Sequence, residues 1–219
     1  MLTNMPAIPM RDVLHFLGWR GTPVEDEILK QIHAAMDEVQ RTLQPRVIVR
    51  HFDLDADSRL NGTVFFPHGD DIARMLRDCC GAILMAATLG AQSERLLLRH
   101  QTRSGADALI MDAVLSAAIE AVCDEQEGML RAEYARRNLY LTDRFSPGYG
   151  DMPLHQTGEI CAVLQTQKTI GMNVSHSGIM IPRKSVTAVL GVSRLPQKKR
   201  PSPCSVCGMR ETCALRERE

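Results

Sequence analysis

The chain has 219 residues, enough for one domain or for one domain with an appendage. Apolar residues make up 44% and charged residues 24%, which excludes wholesale disorder. Lys and Arg number 26 against 26 Asp and Glu, and aromatics only 4%, so a general nucleic-acid binder, with its basic excess and stacking platforms, is excluded as well. No apolar run approaches the roughly 20 residues of a membrane-spanning helix. The N-terminus, MLTNMPAIPMRD, lacks the basic region and apolar core of a signal peptide. The expectation is a cytoplasmic protein whose seven cysteines are reduced or metal-bound rather than paired in disulfides.

The first predicted element is a helix opening at Thr22-Pro23-Val24-Glu25, with Thr22 as cap, Pro23 at the first helical position and Glu25 closing a capping box. Ile28, Leu29, Ile32, Met36, Val39 and Leu43 recur at helical spacing until Pro45. Arg46–Leu54 is rich in β-branched residues and reads as a strand; Asn61-Gly62 reads as a turn leading into a second strand, Thr63–Phe66. Asp70 or Asp71 caps a helix running to Arg77. Ala82–Leu89 reads as a fully buried strand ended by Gly90, and a helix covers Gln92–Gln101. Ser104 opens a long helix to Arg136, with a stripe through Leu109, Met111, Val114, Ala118 and Val122. Its second half carries Glu120, Asp124, Glu127, Arg131 and Glu133, for which the plain reading is a solvated face.

Arg144–Leu154 (RFSPGYGDMPL) holds two Gly and two Pro and cannot be a regular element. A helix over Thr157–Lys168 and strands over Met172–Ser175 and Ser185–Val192 complete the pattern. Helices and strands mix without a βαβ rhythm, which predicts an α+β fold: a mixed or antiparallel twisted sheet packed with several helices. Residues 1–193 form the expected domain, 194–203 (with Lys198-Lys199-Arg200) a Pro/basic linker, and 204–219 a Cys-rich tail.

Two constellations carry chemistry. In the loop, glycines allow close approach of backbone to another molecule, Arg144 suits a carboxylate, and Tyr149 adds an aromatic face. In the tail, Cys204-x2-Cys207-x5-Cys213 places three thiols at a spacing that suits Zn²⁺ or an iron–sulfur cluster, with Cys79 or Cys80 as candidates for a fourth ligand. Cys123 and Cys161 fall on apolar helix faces and read as core residues. His33, His51, His155 and His176 read as structural or exposed rather than catalytic. No G-x-G-x-x-G follows a strand, and no Walker A sequence is present.

Arg144-x-x-Pro147-Gly148-Tyr149, then Gln156 and Ile160–Gly171, then Met180-x-Pro182-x-x-Ser185-Val186, resembles the activation domain of cobalamin-dependent methionine synthase, whose signature is an R-x-x-x-G-Y-P loop, a helix and a later M-x-P-x-x-S-V segment. Ala87-Thr88-Leu89-Gly90 and the long helix are similar to short stand-alone relatives, so the resemblance spans residues 10–193. It implies S-adenosylmethionine binding through Arg144, Ser146, Gly148 and Tyr149. Glu120, Asp124 and Glu127 are then candidates for the carboxylate that a ligand bearing an ammonium and a sulfonium requires.

The family's role is to reactivate cobalamin that has slipped to cobalt(II), presenting the sulfonium methyl while a flavodoxin-type or iron–sulfur donor supplies one electron. The D-x-H-x-x-G cobalt-ligation motif is missing here, so the corrin must arrive on a partner: a methionine synthase, or another corrinoid methyltransferase. A non-enzymatic metal- or cluster-binding adaptor is the alternative from a different class. Two departures stand out. Gly150 replaces the family's proline, which loosens the loop, and a tyrosine-bearing strand of the larger enzyme has no counterpart after Val192.

Overall fold

The computed structural model describes residues 4–19, 23–55, 57 and 59–197. Among them, seven helices and a mostly antiparallel sheet form the α+β architecture expected. The helices are α1 Met10–Phe16, α2 Asp26–Thr42, α3 Asp70–Leu76, α4 Ala91–Gln101, α5 Gly105–Ala135, α6 Gln156–Leu164 and α7 Thr166–Thr169; the strands are β1 Arg46–Asp53, β2 Cys79–Thr88, β3 Tyr140–Leu141, β4 Asn173–Val174, β5 Met180–Ile181 and β6 Ser185–Ser193. The main sheet runs β1-β2-β6-β3 with every pairing antiparallel, and β4-β5 form a separate hairpin.

The sheet is sandwiched, and β2 shows why. Its residues alternate between faces, as the two-residue period of a strand requires. Ile83, Met85 and Ala87 join α1, α2, α4 and α5 in one buried cluster; Ala82, Leu84 and Ala86 join α3 and α6 in another. Both faces of β2 are therefore dry, which is why it reads as an unbroken apolar run. Truncating Leu84, fully buried, to Ala costs about 2–5 kcal/mol of stability through lost burial and the cavity left behind.

Helix α5 organises the rest. The helix opens at Ser104, as expected; its hydroxyl caps it by accepting from the Asp107 backbone N–H at 3.0 Å, and 31 residues follow. At 1.5 Å per residue that is roughly 46 Å. Its first half is apolar and buried, while its second half carries the charged side chains.

Several expectations are corrected. Thr63–Phe66 is irregular, not a strand: after the Asn61-Gly62 turn, the Thr63 hydroxyl donates to the Leu60 carbonyl and accepts from the Phe65 N–H, which satisfies the backbone locally. The helix after Pro23 starts at Asp26 behind Glu25, and Thr22 lies outside the described residues. The helix over Thr157–Lys168 is two, because Gln165 adopts a left-handed φ of 51° and breaks the ladder between α6 and α7. The strand over Met172–Ser175 shrinks to Asn173–Val174. Helix α1 and strands β3 and β5 were not anticipated, being short elements. Cys123 and Cys161 are buried as expected. His33, His51, His155 and His176 are all exposed.

Candidate functional site

The Gly/Pro loop is fixed at both ends. Phe145 bridges to the edge of β6 through reciprocal backbone bonds with Val189, N–H to carbonyl at 2.9 and 2.8 Å. Met152, almost fully buried, donates its N–H to the Tyr149 carbonyl at 3.1 Å and accepts from the Gly148 N–H at 2.9 Å, so residues 148–152 close on themselves. The Asp151 carboxylate accepts from the N–H groups of Asp70 (2.6 Å) and Asp71 (3.1 Å), capping α3 from across the fold. Those bonds hold its carboxyl below the usual carboxylate range.

Gly150 therefore does not loosen the loop. It sits at φ +53°, closed to the proline it replaces, and an added Cβ would strike the Asp71 carboxylate. Gly148, at φ +90°, also uses a conformation that favours glycine. Pro147 is buried, Ser146 half-buried and Tyr149 65% exposed, its ring free of the core.

Gln156, the first residue of α6, is fully buried. Its amide donates to the Phe66 carbonyl at 2.7 Å and accepts from the His68 N–H at 2.9 Å, pinning the irregular 65–68 segment beside the loop. The M-x-P-x-x-S-V block shapes the turn into β6. Pro182 follows β5, and the Ser185 hydroxyl lies 2.7 Å from the Pro182 carbonyl and 2.8 Å from Thr88 Oγ1 at the end of β2.

Arg144 enters the charged end of α5. Its Nη2 lies 2.5 Å from Asp124 Oδ1 and 3.4 Å from Glu120 Oε2, and its Nε lies 2.9 Å from Glu127 Oε2. The side chain is only 18% exposed. Burial works against its charge, but the neighbouring Cys123, Glu120, Asp124 and Glu127 outweigh burial and raise its pKa, so Arg144 is always cationic. Spacings of three and four residues put these carboxylates on one helix face; the plain reading as a solvated surface fails for Glu127, 15% exposed, while Glu120 and Asp124 keep 44% and 64% of their side chains open. It holds for Glu133, which pairs with Arg137 in the open.

Beside them, Arg131 reaches Glu127 at 2.6 Å, Asp143 at 3.0 Å and the carbonyls of Leu141 (2.6 Å) and Thr142 (2.9 Å). Sequence reasoning placed Arg131 with the solvated charges. The Glu127-x3-Arg131 spacing was visible, but the carbonyls it grips were not.

The cluster thus gathers Glu120, Asp124, Glu127 and Asp143 around two guanidiniums, and the field of Asp12 on α1 also reaches Glu120. Among the described residues, Arg144 pairs with Glu120, Asp124 and Glu127, and Arg131 pairs with Glu127 and Asp143. Burial, with Asp124 and Asp12 adding, raises the Glu120 pKa despite the opposing Arg144 charge. Asp124 and Glu127 also wall a cleft of about 540 Å³ that continues along Gly128, Arg131, Leu141 and Asp143, within the size range of small-ligand sites.

Cys204, Cys207 and Cys213 lie outside the described residues, as do Lys198, Lys199 and Arg200. Of the two candidate fourth ligands, Cys80 is exposed. Cys79 is half-buried and packs against Gly191, and burial, with Cys80 and Asp78 adding, pushes its thiol up to about 11. Among the described residues no three His, Cys, Asp or Glu side chains are grouped to hold a metal ion, and no helix is long and apolar enough to cross a membrane.

No family model matches the sequence, and no curated protein matches it. Among solved structures the chain is similar to one described as the crystal structure of the MetH reactivation domain bound to AdoHcy, with a TM-score of 0.62 and 18% identity over 87% of this chain and 77% of that one. At that identity the likeness is one of fold, and it matches the α+β architecture derived above.

Proposed function

We propose that this chain is an S-adenosylmethionine-binding reactivation subunit, part of a methionine synthase system, that presents the sulfonium methyl to cobalamin carried by a partner protein. The observation that carries the reading is that, among the described residues, three carboxylates of one helix face gather on Arg144, which opens the glycine-bearing loop, and two of them wall a cleft. Glu120 and Asp124 keep 44% and 64% of their side chains exposed, so they are open to a cation arriving from outside. S-adenosylmethionine brings two cationic groups, an ammonium and a sulfonium. The solved structure of similar fold holds AdoHcy, which is that metabolite after loss of its methyl.

In this reading Arg144 sets the geometry of the carboxylates and meets the ligand's polar groups. Asp124, the most exposed of its three partners, gives up its bond to make room. The backbone of Ser146–Gly148 lines the ligand, and Tyr149, exposed at the loop tip, packs on it. The work of the chain is to position a methyl donor, and no general base is required. The partner's cobalamin, given one electron by a flavodoxin-type or iron–sulfur donor, supplies the nucleophile for that methyl. The thiols of Cys204, Cys207 and Cys213, with Zn²⁺ or an iron–sulfur cluster, are proposed as a separate C-terminal element, and the chain as cytoplasmic. The resemblance of the loop and of the M-x-P-x-x-S-V block favours methionine synthase as the client over another corrinoid methyltransferase or an adaptor role.

Calorimetric titration of the folded protein with S-adenosylmethionine tests the reading. Saturable one-site binding is expected, and no measurable binding would reject it.

A further inference from the structure

We infer that Arg131 is a positioning residue for this site, setting the direction of Arg144 through the bridge of Glu127; the inference rests on the S-adenosylmethionine reading. Glu127, 15% exposed, is the least exposed of the three carboxylates on Arg144. One of its oxygens serves each arginine. Oε1 accepts Arg131 Nε at 2.9 Å and Nη2 at 2.6 Å, and Oε2 lies 2.9 Å from Arg144 Nε. With both oxygens engaged, the Glu127 carboxylate cannot rotate without losing a charge-assisted bond.

The remaining donors of Arg131 fix its own plane. Nη1 donates to the Leu141 carbonyl at 2.6 Å, and Nη2 also reaches the Thr142 carbonyl at 2.9 Å and Asp143 Oδ1 at 3.0 Å. Leu141 ends β3, and residues 142–143 run directly into Arg144. Arg131 therefore fastens both supports of Arg144: the helix carboxylate that receives its Nε and the backbone from which its side chain departs. Two carbonyls and two carboxylates on different sides of one head group require a planar fork; a lysine ammonium offers three donors from a single point and spans one side only.

A purely structural role and a positioning role differ in whether they depend on Arg144. A structural brace loses stability and affects ligand affinity to the same factor whether or not Arg144 is present. A positioning residue loses its effect on affinity once Arg144 is gone, because nothing is left to aim.

The test is a double-mutant cycle on the full chain, read by calorimetric titration with S-adenosylmethionine and by thermal melting. Arg131→Lys is expected to melt within a few degrees of wild type yet bind about 5–10-fold more weakly, and Arg131→Ala about tenfold or more, as expected for losing fixed charge-assisted geometry. In an Arg144→Ala background the same Arg131 changes are expected to cost less than about twofold. Should Arg131→Ala fail to fold, the Lys variant, alone and with Arg144→Ala, completes the cycle. Wild-type affinity in Arg131→Lys, or an equal loss in both backgrounds, overturns the inference and leaves the binding reading intact. A wild-type chain that does not bind S-adenosylmethionine overturns both, and is recognised because Arg144→Ala then has no affinity to lose.

Discussion

Glu38 on α2 receives Arg99 and His100 from α4, whereas Arg144 receives Glu120, Asp124 and Glu127 from α5; the two clusters use the same side-chain types in opposite proportion. Around Glu38 one carboxylate meets two basic groups, with His100 Nε2 2.9 Å from Glu38 Oε2. Burial would raise the Glu38 pKa, but the His100 hydrogen bond and the Arg99 charge outweigh it and hold the carboxyl low. Around Arg144 one guanidinium meets three carboxylates, and burial, with Asp124 adding, holds Glu120 high. A charge cluster that is complete within the protein ties α2 to α4. At the other cluster three carboxylates of α5 share Arg144 beside a cleft, and Glu120 and Asp124 stay open to solvent.

Replacing the central cation sharpens the contrast most. Arg144→Ala is expected to weaken S-adenosylmethionine binding by about 1.5–3 kcal/mol, the range for hydrogen bonds to charged groups, as measured by calorimetry. Next comes the closed cluster. Glu38→Gln should cost about 1 kcal/mol of stability at neutral pH and leave ligand affinity unchanged. The carboxyl of Glu38 is lower in the folded state, so its contribution is present above its ordinary value of 4.5 and is lost as pH falls through the folded value. Denaturation at neutral and acid pH should show the variant and the wild type converging in acid.

Glu120 has the opposite sign. Its folded pKa is raised, so the ionised form costs stability at neutral pH, and that cost disappears as pH falls through the raised value. Glu120→Gln is therefore expected to melt slightly higher than wild type at neutral pH, with the gain shrinking in acid. A cationic ligand favours ionised Glu120, so wild-type affinity should rise as pH rises through that value, and the variant should lose this slope. A wild-type pH profile identical to that of Glu120→Gln would break the comparison.

The elements that could be read from sequence are those with a clear period or end signals: α2, β1, β2, α4, α5 and β6, and α3 behind its acidic start. Short elements escaped because their existence is decided by what they pack on. Helix α1 is seven residues behind a proline and owes its place to the buried Val13. Thr63–Phe66 has strand-forming residues, but its backbone is satisfied by Thr63 and by the distant Gln156, so it never pairs. At the site, Arg144 and the three helix carboxylates were all identified, but not their mutual pairing. That pairing depends on how β3 and the loop return to α5, which spacing alone does not encode. The Asp151 cap on α3 is a contact across 80 positions, equally silent in sequence.

A crystal of this protein soaked with S-adenosylmethionine tests the central claim most directly. Density for the ligand is expected between the Ser146–Tyr149 loop and the Glu120–Glu127 face of α5, with a ligand cation facing Glu120 or Asp124. Density absent there, with Arg144 still holding all three carboxylates at saturating ligand, would contradict it.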